Sequence, residues 1–141
     1  MTKKEAAQIL AVLKAAYPTS YNGMTKEEAL GTVTVWSIQF SDIPVDVVMI
    51  AVQKIISQSK FPPTVAEVKE TLQGMYYEAH SAIIEASIYK NATEQEILYL
   101  EKVFEATSSL RNDESFGMSI PKLQRVGGEQ LCAGSERKLL D

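Results

Sequence analysis

His80 is the only histidine and Cys132 the only cysteine in this 141-residue chain, and with pairs of glutamates they are the candidates for acid–base, nucleophilic or metal chemistry. A histidine working as a base needs an orienting carboxylate. Glu78 and Glu85 flank His80 in sequence, but neither stands at the i,i+3 or i,i+4 spacing that would put it beside the imidazole on a helix face. A surface or partly packed histidine is the simpler reading. Cys132 has no histidine near it and no helix start that would stabilise a thiolate, so it lacks the activation a nucleophile requires. Glu67 with Glu70 and Glu101 with Glu105 each share a helix face, yet solvated helix faces carry such pairs routinely. The glycines fit neither G-x-G-x-x-G nor G-x-x-x-x-G-K-[ST], so no nucleotide-phosphate cradle is encoded. The residues therefore specify no catalytic group, no cofactor site and no metal site, and the chain is read as a non-enzyme.

Binding remains. Trp36, Phe40, Tyr76, Tyr77 and Phe104 would form a base-stacking platform only with interleaved Lys and Arg, and Trp36 has none within several residues, so these aromatics are assigned to the core. Lys54, Lys60 and Lys69 gather around a proline-rich connector and are read as a solvated rim. The formal charge of -4 disfavours direct nucleic-acid binding, because no net positive field exists to collect phosphates. Apolar residues make up 45% and charged residues 23%, which are globular values. The absence of a signal-peptide core, of an internal disulfide and of any apolar run approaching ~20 residues predicts a cytosolic chain with no membrane span.

The elements that would position a binding surface are marked by a Thr-x-x-Glu pattern at Thr2–Glu5, Thr25–Glu28, Thr64–Glu67 and Thr93–Glu96. In a capping box the threonine oxygen accepts from a free N–H of the first turn while the glutamate reaches back to the threonine N–H. Four such boxes predict four helix starts. Behind the first, Ala6, Ile9, Leu10, Leu13, Ala16 and Tyr17 recur at helical spacing until Pro18, predicting a helix over 2–17. Tyr21-Asn22-Gly23 is a turn, and Ala29, Val33, Trp36 and Phe40 then mark one face of a second helix. The Thr-Val-Thr-Val stretch at 32–35 alternates like a strand, but the capping box and the 29/33/36/40 spacing outweigh that local propensity.

Asp42 is the expected cap of a third helix with Pro44 in its first turn, and the apolar run from Val45 to Ser57 predicts a nearly fully buried helix. Phe61-Pro62-Pro63 forms a stiff connector. Val68, Leu72, Met75, Ala79, Ile83 and Ala86 then step by threes and fours through Gly74, predicting one long helix to about Tyr89 with Asn91 as its stop. Ile97, Leu100, Val103 and Phe104 mark a fifth helix ending near Ala106.

The expected fold class is thus all-α, a compact bundle of about five helices over 1–106 followed by a flexible tail over 107–141. Within that tail Ile120, Leu123 and Val126, and further on Leu139 and Leu140, form short helix-prone apolar islands suited to binding a partner.

Residues 2–72 resemble the N-terminal domain of the phage-encoded replicative helicase loader/inhibitor family. The resemblance rests on Thr2-Lys-Lys-Glu-Ala-Ala with Leu13-Lys-Ala-Ala-Tyr17-Pro18, on Met24-Thr-Lys-Glu-Glu-Ala29 with Trp36 downstream, on Asp42-Ile-Pro-Val-Asp46, and on Ser59-Lys-Phe61-Pro62-Pro63-Thr-Val-Ala-Glu67-Val. It implies a non-enzymatic adaptor in the host-cell cytoplasm that binds a hexameric DnaB-type helicase, restrains its ATPase and unwinding, and delivers it to an origin marked by an initiator protein. In that family the flexible C-terminal part engages the helicase; no residues of the tail here align with it, and it is the apolar spacing of Ile120, Leu123, Val126, Leu139 and Leu140 that points to them as the contact. The alternative reading is a helical, helix-turn-helix-like nucleic-acid-binding phage replication or regulatory protein, built on the tight Phe-Pro-Pro turn.

Overall fold

All four Thr-x-x-Glu sequences close as reciprocal boxes. Thr2, Thr25, Thr64 and Thr93 each accept from the backbone N–H of the glutamate three residues on at 3.2 Å. Each glutamate carboxylate in turn accepts from the threonine N–H at between 2.6 and 3.1 Å. The computed structural model describes residues 1–111, and over them the fold is all-α. Five α-helices follow one another: α1 Lys3–Ala16, α2 Lys26–Gln39, α3 Val45–Gln58, α4 Val65–Tyr89 and α5 Glu94–Ala106. A short 3-10 turn, Ser108–Leu110, follows α5. The tail islands at Ile120, Leu123, Val126, Leu139 and Leu140, like Cys132, lie outside the described residues.

The chain divides into two compact units, Met1–Gln73 and Gly74–Asp141. In the first, α1 packs on α2 and on α3. Its core is Ala6, Ile9, Leu10, Leu13 and Tyr17 from α1 and its end, Val33, Trp36 and Phe40 from α2 and its end, Ile43 before α3, Val47, Val48, Ala51 and Val52 from α3, and Val68 and Leu72 from α4. Trp36 and Phe40 pack ring on ring at 5.4 Å between centroids. Tyr17 ties the end of α1 to the connector by donating its hydroxyl to the Ser59 carbonyl at 2.9 Å. The Ser59 hydroxyl in turn accepts from Phe61 N–H and donates to Phe61 C=O, which holds the segment before the two prolines in a closed loop.

The strand-like stretch in α2 is helical, and its threonines show how. Thr32 and Thr34 donate their hydroxyls to the carbonyls of Glu28 and Leu30 one turn back, at 2.9 and 2.8 Å. The β-branched side chains are accommodated in the helix by satisfying their polar atoms against it. The turn before α2 closes through Met24 N–H to Tyr21 C=O at 3.3 Å, with Gly23 at φ +79°, a left-handed conformation that favours glycine.

Three local expectations are corrected. Asp42 does not cap α3: Pro44 itself is the N-cap residue and no side chain caps the helix, while Asp46 turns an oxygen toward Val47 N–H at 3.0 Å. Proline cannot donate at the helix start and its φ of -60° already suits the junction, so the cap position falls later than the Asp-Ile-Pro pattern suggests. The burial of α3 is one-sided, since Val47, Val48, Ala51 and Val52 are buried while Ile55 and Ile56 are only half-buried. The left-handed residue after α4 is Lys90, at φ +52°, not Asn91; its N–H donates to Ala86 C=O at 3.0 Å.

In the second unit Met75, Tyr76, Ala79, Ile83 and Ala86 of α4 and Ile97 and Val103 of α5 are buried. Every apolar position that the spacing assigned to α4, from Val68 to Ala86, is buried, and the helix runs through Gly74 without a break. Thr107, just past α5, is fully buried and donates its hydroxyl to Val103 C=O at 2.7 Å.

Candidate interaction surfaces

The residues considered for chemistry are dispersed or engaged. His80 stacks on Phe104 with ring centroids 5.7 Å apart, and its Nε2 is buried without a hydrogen-bond partner. Phe104 also stacks on Tyr76 at 4.8 Å, and Tyr77 meets Tyr76 edge-on at 5.2 Å. The histidine therefore belongs to an aromatic cluster on the packed side of α4 and α5, where an imidazole contributes a flat apolar face. Glu67 is occupied by its capping box. Among the described residues no group of three or more His, Cys, Asp or Glu side chains is placed to hold a metal ion. Of the lysines around the connector, Lys69 donates to the Gln39 side chain at 2.6 Å.

Backbone and hydroxyl hydrogen bonds from Thr2 lower the Glu5 pKa below its ordinary 4.5, and those from Thr93 do the same for Glu96. Burial, followed by the neighbouring Tyr17, raises the Tyr21 hydroxyl above its ordinary 10.0.

What the surface offers a partner is apolar. On α2, opposite Val33 and Trp36, Leu30, Val35 and Ile38 are 61%, 51% and 64% exposed. Leu30, Thr34 and Ile38 lie one above another at i,i+4,i+8, and the Thr34 hydroxyl is turned into its own helix, leaving its methyl to the face. Phe61 on the connector is also exposed. Sequence reasoning passed over this second face because it looked for one apolar stripe per helix. The Leu30–Ile38 spacing was the available signal.

In the second unit the end of α4 and the start of α5 enclose an open groove of about 670 Å³. Ala82, Ala86, Ala92, Tyr99 and Leu100 supply its apolar lining, and Glu85 and Glu96 its charge. A smaller depression of about 440 Å³ adjoins it, sharing Ala82 and Glu85 and lined also by Tyr77, Glu78 and Ser81 of α4.

Unit 1 thus buries one side of its helices and turns the large apolar side chains of Leu30, Val35 and Ile38 outward. Residues 1–69 match the family described as G39p, N-terminal domain. The match falls on the stretch, residues 2–72, in which the sequence resembles the phage helicase loader/inhibitors. No curated protein and no solved structure matches the chain. No described helix is long and apolar enough to cross a membrane.

Proposed function

We propose that this chain is a non-enzymatic adaptor that binds a hexameric DnaB-type replicative helicase, restrains its ATPase and unwinding, and helps load it at a phage replication origin marked by an initiator protein. The observation that carries the reading is the family match over residues 1–69. A helical part ending near Ala106 presents the folded surface, and the segment from Thr107 onward carries the helicase contact through Ile120, Leu123, Val126, Leu139 and Leu140. Apolar side chains at those spacings can line one face of a short helix that folds on its partner, and the ordering cost falls at the moment of binding.

The test is co-elution of the full chain with the helicase in the presence of ATP, together with helicase ATPase rates as the chain is titrated in. A complex and a lowered ATPase rate are expected. Exchanging Ile120, Leu123 and Val126, or Leu139 and Leu140, for serine is expected to abolish both. Absence of any complex with the unaltered chain refutes the adaptor role, whereas a complex that survives both exchanges moves the contact to the folded units.

A further inference from the structure

We infer that the acidic groove between the end of α4 and the start of α5 is the docking site of the chain's own segment 119–127, Ser-Ile-Pro-Lys-Leu-Gln-Arg-Val-Gly. The groove has an apolar lining and carries Glu85 and Glu96, with Glu78 in the adjoining depression, and no Lys or Arg lines either of them. The segment is its complement. From Gly117 to Gly128 the chain holds Lys122 and Arg125 and no acidic residue, while Ile120, Leu123 and Val126 recur at every third position. Ser119 and Pro121 suit the first turn of a helix and Gly127 its end, so the sequence supplies a start, an apolar stripe and a stop for about two turns.

Dimensions agree. The α4 residues lining the two adjoining depressions, Tyr77 to Ala86, span about 15 Å at helical rise, and a nine-residue helical segment is about 13 Å long. The route is also long enough. To return from the end of α5 to the groove, the chain must retrace 13 residues of helix, about 20 Å. Residues 112–118 extend to about 23 Å or more. Tethering on a short linker gives an effective concentration on the order of mM, so even a weak interaction of this size populates the docked state. The buried apolar contact supplies attraction, and the Lys122 and Arg125 charges select this furrow over the uncharged apolar face of α2. The same Ile120, Leu123 and Val126 carry the proposed helicase contact, so the docked segment and a helicase complex through it exclude one another.

Cys132, the only cysteine, places a probe five residues beyond the segment. With a nitroxide on Cys132 of the full chain, amide signals of residues 82–86 and 93–100 are expected to broaden more than those of α1. Leu123→Asp, and separately Glu85→Lys, are expected to remove that selective broadening, and Glu85→Lys combined with Lys122→Glu to restore it. Glu85 is exposed on its helix, so its exchange leaves the fold intact. Uniform broadening, or selective broadening that persists in Leu123→Asp, overturns the inference. So does sensitivity to Leu139→Asp in place of Leu123→Asp, which would seat the other island. Broadening that appears only between spin-labelled and isotope-labelled molecules mixed together would identify a second copy as the occupant, and also overturns it.

Discussion

The two units bury similar side chains and differ in their rings and cross-ties. Unit 1 buries aliphatic side chains from four helices around one ring pair, Trp36 and Phe40, and its segments are cross-tied over long sequence distances, as by Tyr17 to Ser59. The described part of unit 2 has two helical segments; it too buries mainly aliphatic side chains, Met75, Ala79, Ile83, Ala86, Ile97 and Val103, and adds a stack of Tyr76 on Phe104 with His80 beside them. The family match stops at residue 69, so it covers almost the whole of unit 1 and none of unit 2. The part the family describes is thus unit 1, and the acidic groove lies beyond it.

The largest test of that contrast removes a ring from unit 1. Phe40→Ala should cost about 3–5 kcal/mol, as for a fully buried aromatic, measured by urea unfolding. Hydrogen exchange should accelerate most in α1–α3. Equal acceleration in α5 would show that the two units share one cooperative transition. Next, the caps compare the units with identical chemistry: Thr25→Ala and Thr93→Ala should each cost about 1 kcal/mol, and unequal losses would reveal which unit leans more on its helix ends.

A smaller pair concerns α4, where a glycine sits in the helix interior and a side chain sits in the left-handed position. A Cβ at Gly74 would meet nothing within 4 Å, so Gly74→Ala should raise stability by about 0.5–1 kcal/mol. Lys90→Gly should do so by a similar amount, about 1 kcal/mol, by relieving the left-handed backbone. Thermal melts of both variants check this. The smallest effect is acid sensitivity at α1 and α5. Glu5 and Glu96 have folded-state pKa values below 4.5, so their stabilisation is present above 4.5 and is lost as pH falls through the lowered values. Helix content measured by circular dichroism should decline over that acid window, and less so in Glu96→Gln.

The helix starts were readable because a capping box is local: threonine and glutamate three residues apart meet whatever the rest of the chain does. The inward face of α4 was readable for a related reason, since a period of three and four over many residues has one consistent solution. Asp42 failed as a cap because a proline two residues on already shaped the junction. The ring cluster of Tyr76, Phe104 and His80 was out of reach of spacing, because it depends on how α4 and α5 cross. The outward face of α2 was hidden by its own inward one, as Val33, Trp36 and Phe40 satisfied the search for a stripe before Leu30, Val35 and Ile38 were weighed. Ile120, Leu123, Val126, Leu139 and Leu140 lie outside the described residues.

The placement of Trp36 carries a practical consequence. It is the only indole in the chain, it is buried against Phe40, and it lies in unit 1. Intrinsic emission excited selectively at the indole band is therefore a built-in optical gauge of that unit alone. Its red shift on denaturation times the opening of the aliphatic core, and a lag or lead relative to the whole-chain signal gives the order in which the two units come apart, with no dye or label introduced.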